Sequence, residues 1–254
     1  MRRVGLVLLL PLALAACSTS TRLGMRELTP TAHVQNAANK TAAAPSEHMT
    51  LRASLTIGAW KLAFSGSGDF DNEHHRGSFH LDVPYVGAVD EVVDGATIYV
   101  KSPLIASLLP SGKTWAKLDL KKARSSGGAL PALLSQDPAV ALARLKSLDS
   151  ARKLGDETIA GTATTHYRGR VDLSKLPQFS ELHVREAGHG AYDVWIGKDD
   201  GYVRRVRFSY SAGASANTNL VMTFSDFGKA LTVSVPAASE TFDAMTLAIP
   251  GLGG

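Results

Sequence analysis

Apolar and polar residues alternate along most of this chain, and no other feature constrains its fold as strongly. The alternation is regular from Met49 to Ile57 and from Phe79 to Tyr85, where every second residue is apolar. A period of two places apolar side chains on one face of a β-strand and polar side chains on the other. About ten such segments follow one another, and short turns such as Asp94-Gly95 join nearly all of them. The sequence therefore predicts an open, mostly antiparallel sheet with one face in water.

Short amphipathic segments interrupt the strands and predict helices. They span residues 31–43, 102–109 and 129–148, and the last contains Leu142, Leu145 and Leu148 at helical spacing. A sheet of about ten strands is about 50 Å wide, whereas each helix covers about 10 Å. The helices are thus barely sufficient to cover the apolar face. Two arrangements remain open: the curled sheet packs on itself, or a cavity is left for an apolar ligand.

The N-terminus has the pattern of an export signal that ends at the only cysteine. A basic start precedes an apolar run from Val4 to Ala16, and Leu14-Ala15-Ala16-Cys17 closes it. The run is about a dozen residues, whereas a bilayer span needs about 20. The closing residues resemble a bacterial lipobox, which implies cleavage before Cys17 and acylation of that residue. We therefore expect a signal peptide over 1–16, and a lipidated tether over 17–30 on the outer face of the cell membrane. The alternative is an ordinary secretory signal beside an incidental cysteine.

The charge balance argues against a nucleic-acid partner. The chain has 27 Lys and Arg against 23 Asp and Glu. Without Arg2 and Arg3, which leave with the signal, 25 basic residues stand against 23 acidic ones, a net charge of +2. Nucleic-acid binding requires a far more basic surface. With Cys17 acylated, no thiol remains for a disulfide, so the core alone must hold the fold.

Candidate catalytic and metal-binding groups are few, and each has a simpler interpretation. Gly66-Ser67-Gly68 lacks the frame of a hydrolase nucleophile elbow. His166 falls on the polar face of its strand, where we expect solvent and no acid–base partner. Two further groups of acidic and histidine side chains are candidate metal ligands. We expect them instead in a polar hairpin tip (Asp69, Asp71, Glu73, His74, His75) and in a polar loop (Glu181, His183, Glu186, His189). We therefore expect no enzyme activity, no metal and no cofactor.

An ordered series of short motifs resembles one protein family. After the lipobox, the series runs through Tyr99-Val100-Lys101, Trp115–Leu120, Asp137-Pro138, Gly155–Thr158, His166-Tyr167-Arg168, Val171-Asp172-Leu173, Val194-Trp195-Ile196, Asp200-Gly201, Arg204-Arg205 and Phe224–Gly228. Each motif is weak by itself, and their order and spacing carry the match over residues 31–236. The set is similar to the LppX/LprG family of actinobacterial lipoproteins, whose fold is similar to that of the LolA and LolB carriers.

The resemblance implies a fold and a function. The fold is an α+β half-barrel: an open, curled antiparallel sheet with a few short helices on its concave face. The function is non-catalytic binding of lipid or glycolipid acyl chains in an apolar cavity, for carriage in the cell envelope, in some members beside a membrane transporter. We expect the lipid-binding domain at 31–236 and a C-terminal tail at 237–254. The alternative is an envelope sensor or scaffold with a filled core that binds a protein.

The alternation in the strands and the apolar stripes of the predicted helices assign side chains to the apolar interior and so predict a cavity lining. The candidates are Leu62, Phe64, Leu81, Leu104, Leu108, Leu142, Leu145, Tyr167, Val194, Val206 and Phe208. Core packing is the alternative for each of them, because a sequence does not separate core from pocket wall. The assignment predicts that Val206→Asp or Phe208→Asp reduces lipid binding, whereas Arg207→Asp, on the polar face, does not.

Overall fold

Twelve strands form one open sheet within residues 28–125, 138–146, 148–172, 189–212 and 216–246, the parts of the chain that the computed structural model describes. The strands are β1 (Ser46–Ile57), β2 (Trp60–Asp71), β3 (Arg76–Val83), β4 (Gly87–Asp94), β5 (Thr97–Lys101), β6 (Trp115–Asp119), β7 (Ser150–Ile159), β8 (Thr162–Asp172), β9 (His189–Gly197), β10 (Val203–Ala212), β11 (Ala216–Ser225) and β12 (Thr241–Asp243). Their order is β12-β6-β5-β4-β3-β2-β1-β11-β10-β9-β8-β7. Only the short β12–β6 pair is parallel. The predicted open antiparallel sheet is confirmed.

Four short helices accompany the sheet in the described residues: α1 (Pro30–Ala42), α2 (Pro103–Ala106), α3 (Leu120–Ser125) and α4 (Pro138–Leu145). The start of α1 follows from local chemistry. The Thr29 hydroxyl accepts a hydrogen bond from the Ala32 N–H at 3.2 Å, and Pro30, which has no N–H, takes the first helical position. Residues 1–27, with Cys17 and the lipobox, and residues 126–137, with the first part of the helix predicted at 129–148, lie outside the described residues.

Helix α1 is hydrogen-bonded to the sheet at both of its ends. The Thr31 hydroxyl accepts a hydrogen bond from the Ala151 N–H of β7 at 2.9 Å. The Thr41 hydroxyl accepts one from the Val203 N–H of β10 at 2.8 Å, and this threonine is fully buried. These two bonds satisfy backbone donors of the sheet and hold α1 across β7 to β10.

Cross-strand pairing gives the sheet two chemically different faces. One row of paired residues is apolar and buried: Tyr167, Val194, Val206, Met222 and Leu51. The adjacent row is largely charged: Arg168, Asp193, Arg207, Val221 and Arg52. Paired residues share a face, and successive residues alternate between faces. The apolar rows therefore form the inner face, which packs against α1 and α4, and the charged rows form the outer face.

Strand β2 contains two glycines in its interior. Gly66 and Gly68 pair with Leu81 and Phe79 of β3 on the inner face. A Cβ on Gly66 would stand 2.9 Å from the side-chain atoms Leu81 Cδ2 and Phe79 Cε1. The glycines thus make room for the large side chains of the neighbouring strand, a close approach that strand glycines commonly serve.

Beyond Gly228 the period-two pattern of residues 231–235 predicts a last strand, and the structure departs from this prediction. Residues 231–235 alternate in polarity but form no strand in the structure. The sheet gains β12 instead, which pairs with the edge strand β6 through Thr241, Phe242 and Asp243. The sheet therefore extends past residue 236, where the predicted domain ended. An unpaired edge strand accepts a further strand readily, which is the physical reason for the addition.

The connections between strands lie at two opposite edges of the sheet. Edge A contains the turn 58–59 between β1 and β2, the turn 84–86 between β3 and β4, and the segment 102–114 between β5 and β6. Edge B contains the turns 72–75, 95–96, 160–161 and 198–202. The N-terminus of α1 is bonded near edge A, where β7 begins, and its C-terminus near edge B, where β10 begins.

We predict that Gly68→Ala destabilises the fold. The new Cβ would stand 2.9 Å from Phe79 Cα, a backbone atom that cannot move aside without distorting β3. Overpacking of this kind lowers the free energy of unfolding by about 2 kcal/mol. Urea unfolding measures the change, and Ser67→Ala, an exposed position on the outer face of the same strand, is the matched control. Equal stability of the two variants would contradict the packing described for β2 and β3.

Candidate functional site

The inner face carries an apolar cluster that α1 and α4 close. Leu142 and Leu145 of α4, Val194 of β9 and Val206 of β10 are fully buried in it. The cluster includes these predicted cavity residues, none more than 9% exposed: Leu81, Leu142, Leu145, Tyr167, Val194, Val206 and Phe208. The structure brings these side chains together and packs them as core.

Toward edge A the inner face becomes only partly covered. Six apolar side chains there are half-buried, and we name them the open strip: Leu55, Leu62, Phe64, Val83, Tyr210 and Leu220. Leu55 pairs with Leu62 close to the β1–β2 turn, and Phe64 pairs with Ala53 in the next inner row. Phe64 and Leu220 also pack against the buried cluster. The open strip therefore joins the core to edge A as one apolar surface.

Leu104 and Leu108 lie apart from this face. Helix α2 has only four residues after its Ser102 cap, and none of them is buried. Leu104 is 62% exposed and Leu108 53% exposed. The prediction placed both on one face of a helix that covers the sheet. The observed helix is too short to form such a face, and the segment 102–114 holds both side chains at edge A.

A cavity of 960 Å³ lies between α1 and the edge-B ends of β8 and β9. Its lining includes Tyr167, on which the ring of His33 stacks at 5.4 Å between centroids. Its rim is charged, and several of these charges form ion pairs. Lys198 Nζ donates to Asp156 at 2.8 Å, and Arg204 pairs with Asp200. These ion pairs give the rim a polar character, so this cavity suits an acyl chain less well than the open strip does.

On the outer face, a buried carboxylate connects three strands. The Asp193 side chain of β9 is 1% exposed. It accepts hydrogen bonds from Arg168 Nε of β8 at 2.7 Å and from Arg207 Nη2 of β10 at 2.7 Å. Burial raises the pKa of Asp193, but the hydrogen bonds from the two arginines and from His166 outweigh it, so the pKa lies below its ordinary value. Arg207 is therefore a structural residue, and Arg207→Asp is not the neutral control that the sequence suggested.

His166 belongs to this outer-face network and is not the solvated side chain that the sequence predicted. Its ring is buried and stacks on Trp195 at 4.2 Å between centroids. Nε2 lies 2.9 Å from Asp193 Oδ1, and Nδ1 lies 2.7 Å from Glu157 Oε1. Trp195 Nε1 also donates to Glu157, and the hydrogen bonds from Trp195 and His166 hold the pKa of Glu157 below its ordinary value. Opposite charges on neighbouring strands could have revealed these partners, but only if the register between the strands had been known.

Of the predicted hairpin tip, Glu73, His74 and His75 lie in the turn 72–75, whereas Asp69 and Asp71 belong to β2, and His74 Nδ1 lies 2.8 Å from Asp71 Oδ2. No three histidine, cysteine or acidic side chains come together as a metal site in the part of the chain that the structure describes. Of the predicted polar loop, Glu181, His183 and Glu186 lie outside that part, and His189 is the first residue of β9. Likewise, none of the described helices is long and apolar enough to span a membrane.

Comparison with known proteins identifies the family. The profile of the LppX_LprAFG lipoprotein family matches residues 29–233. The chain belongs to this family. The matched residues include α1 and β1 to β11, and therefore the open strip. Strand β12 follows the matched residues.

Two solved structures share the fold. LppX, a lipoprotein of Mycobacterium tuberculosis, has a TM-score of 0.56 at 16% identity, over 80% of this chain and 97% of LppX. LprF from Mycobacterium bovis has a TM-score of 0.54 at 17% identity, over 82% of this chain and 97% of LprF. A 31.2 kDa protein of Streptomyces griseus from the rplA–rplJ intergenic region is 26% identical over 150 residues, 52% of this chain and 48% of that protein. The chain thus spans about half the length of this relative.

We predict that Asp193→Asn lowers the free energy of unfolding and makes it depend less on pH in the acid range. The substitution removes the anion that Arg168 and Arg207 share, which lowers the free energy of unfolding by about 2 kcal/mol. A carboxyl group whose folded pKa is lowered stabilises above its unfolded pKa of about 3.9. That contribution is lost as the pH falls through the folded pKa, so the wild type loses stability there and the variant loses less.

Urea unfolding between neutral and acid pH measures both effects. Asp199→Asn, at an exposed carboxylate in the turn 198–202, is the control that should change neither. If Asp193→Asn kept wild-type stability at neutral pH, the outer-face network would not hold the three strands together.

Proposed function

We propose that this lipoprotein binds the acyl chains of a lipid or glycolipid along the open strip and carries them in the cell envelope. One observation supports this most directly: the open strip is apolar and inward-facing, and yet it is only half-buried. Elsewhere on the same face, under α1 and α4, apolar side chains are fully buried. The strip thus presents a mainly apolar surface, in which the Tyr210 hydroxyl and the neighbouring Thr218 are the polar groups, and such a surface suits a hydrocarbon chain.

The driving force for such binding is the removal of apolar surface from water. Each methylene group that leaves water contributes about 0.8 kcal/mol, and about 25 cal/mol accompanies each Å² of apolar surface buried. Both the acyl chain and the strip lose exposed apolar surface on contact. The headgroup would remain in water at the rim, so the chain needs no catalytic group, metal or cofactor for this function.

We further propose that Cys17 is the anchor of the protein. Cleavage before Cys17 and acylation of this residue would tether the folded region to the outer face of the cell membrane through residues 18–27. Two or more acyl chains give a stable attachment, whereas one chain gives a marginal one. A carrier held at this surface would receive its cargo from, or deliver it to, the membrane or an envelope transporter.

We predict that Leu62→Asp and Phe64→Asp abolish most lipid loading. Each substitution places a carboxylate against the acyl chain on the inner face. Ala63→Asp is the matched control, because Ala63 is exposed on the outer face between these two positions. Native mass spectrometry of protein purified from an actinobacterial host measures the lipid adduct, and circular dichroism confirms that each variant is folded.

Loading is expected to fall about tenfold or more in the two inner-face variants and to remain in Ala63→Asp. Equal loading of all three folded variants would reject the open strip as the binding surface. A wild-type protein without any lipid adduct would reject the carrier function itself.

A second prediction concerns the anchor. Cys17→Ala should release the protein from membranes, because acylation needs the thiol. Fractionation of cells that express the wild type or the variant shows the change, and the intact mass of the wild type reveals the attached acyl groups. Membrane retention of Cys17→Ala in washed membranes would show that another feature anchors the chain.

The fully buried cluster supports one alternative function. Leu142, Leu145, Val194 and Val206 are fully buried in one cluster, as they would be in a filled core. An envelope sensor or scaffold that binds a protein would need a filled core but no lipid cavity. Chemical crosslinking in cells distinguishes the two functions: a protein partner, together with a lipid-free mass, would support the scaffold.

A further inference from the structure

Large exposed apolar side chains concentrate at edge A. Within the described ranges, the large apolar side chains that are 37% or more exposed are Leu28, Trp60, Tyr85, Leu104, Leu108 and Leu154. Trp60 opens β2, Tyr85 lies in the turn 84–86, and Leu104 and Leu108 lie in the segment 102–114. All four of these are at edge A, and Trp60 and Tyr85 are 83% and 102% exposed. Large apolar side chains that are exposed together at one edge are typical of an interaction site.

Edge B provides an internal comparison, because the same sheet builds its turns there from other residues. Its longer turns are polar, such as Asn72-Glu73-His74-His75 and Lys198-Asp199-Asp200-Gly201. Its short turns consist of Gly95-Ala96 and Ala160-Gly161. None of the six exposed apolar side chains lies in these turns. The apolar character is therefore specific to edge A and is not a general property of the turns in this sheet.

Tyr85 is held in a backbone conformation that aromatic residues rarely adopt. Its φ is 69°, in the left-handed region that glycine and asparagine favour. Its side chain is fully exposed, so no packing within the chain compensates for the strain. A strained residue without internal contacts indicates a role outside the fold.

The open strip ends at this same edge, and the proposed anchor enters close to it. Leu55 and Leu62 lie next to the turn 58–59. Thr31, in the first turn of α1, is bonded to β7 near edge A. Only residues 18–27 separate Cys17 from Leu28, and a chain of that length spans at most about 40 Å. An acylated Cys17 would therefore keep edge A within reach of the bilayer.

We propose that edge A docks on the bilayer, with Trp60, Tyr85, Leu104 and Leu108 inserted at its interface. Trp and Tyr prefer the level of the headgroups, and leucine side chains gain from contact with the acyl region. In this orientation the open strip meets the acyl chains directly, so a lipid passes between bilayer and strip without crossing water. This transfer of lipid rests on the proposed carrier function, whereas the docking of edge A itself requires no bound lipid.

The test uses the acylated protein in vesicles of phosphatidylethanolamine and phosphatidylglycerol with brominated acyl chains, which quench the fluorescence of inserted tryptophan. Trp195 is buried, and Trp115 is half-buried beside Lys101, so Trp60 is the reporter. We expect strong quenching in the wild type. In Trp60→Phe the quenching should largely disappear, because the two remaining tryptophans lie on the outer face.

Variants of the other edge-A residues test the docking without removing the reporter. Tyr85→Asn and Leu104→Asp should each reduce the quenched fraction of Trp60 emission about threefold or more, since each removes an apolar group from the interface. Asparagine tolerates the left-handed backbone at position 85, so its unfolding temperature should equal or exceed that of the wild type. Leu154→Asp, an exposed apolar position on β7 outside edge A, is the matched control and should retain wild-type quenching.

The outcomes separate docking from carriage. Quenching that is absent in the wild type, persists in Trp60→Phe, or falls equally in Leu154→Asp overturns the docking of edge A. Native mass spectrometry of the same preparations measures cargo independently. Quenching without any lipid adduct would support docking and reject the carrier function, whereas a lipid adduct without quenching would support the carrier and reject docking.

Discussion

The structure depends on one constraint: strand pairing gathers the inward-facing apolar side chains of a twelve-stranded sheet on a single surface, which water solvates poorly. Helices α1 and α4 cover this surface over part of the sheet, where Val194 and Val206 are fully buried. Toward edge A the side chains of the same face are only half-buried. The same constraint thus accounts for a stable core and for the apolar surface that we propose to hold acyl chains.

The outer face stabilises the strands in a different way. Asp193 of β9 accepts hydrogen bonds from Arg168 of β8 and Arg207 of β10, and His166 lies between Asp193 and Glu157. These contacts lie on the side of the sheet opposite to the open strip. A ligand that enters the strip does not need to break them. The outer face therefore stabilises the sheet independently of any binding on the inner face.

Residue alternation was enough to predict the sheet, its antiparallel connections and the side of most side chains, because a period of two is a local property. It did not show why β2 carries Gly66 and Gly68, because the side chains of Phe79 and Leu81, for which these glycines make room, come from another strand. It put His166 on the outer face but missed its partners, which lie 9 and 27 residues away in sequence. It also assigned Leu104 and Leu108 to a covering helix that ends after four residues.

The sequence by itself determined which apolar side chains face inward, and only the tertiary structure decided which of them are core. Val206 and Leu62 are both inward-facing apolar residues of alternating strands, yet Val206 is fully buried and Leu62 is half-buried. Leu62 lies next to the turn 58–59 at edge A, whereas Val206 lies on β10, one of the strands across which α1 is fixed. The position of α1 depends on the bonds of Thr31 to Ala151 and of Thr41 to Val203, which join residues 120 and 162 positions apart. Local periodicity carries no information about contacts of that range, so the division between core and open strip appears only in the folded chain.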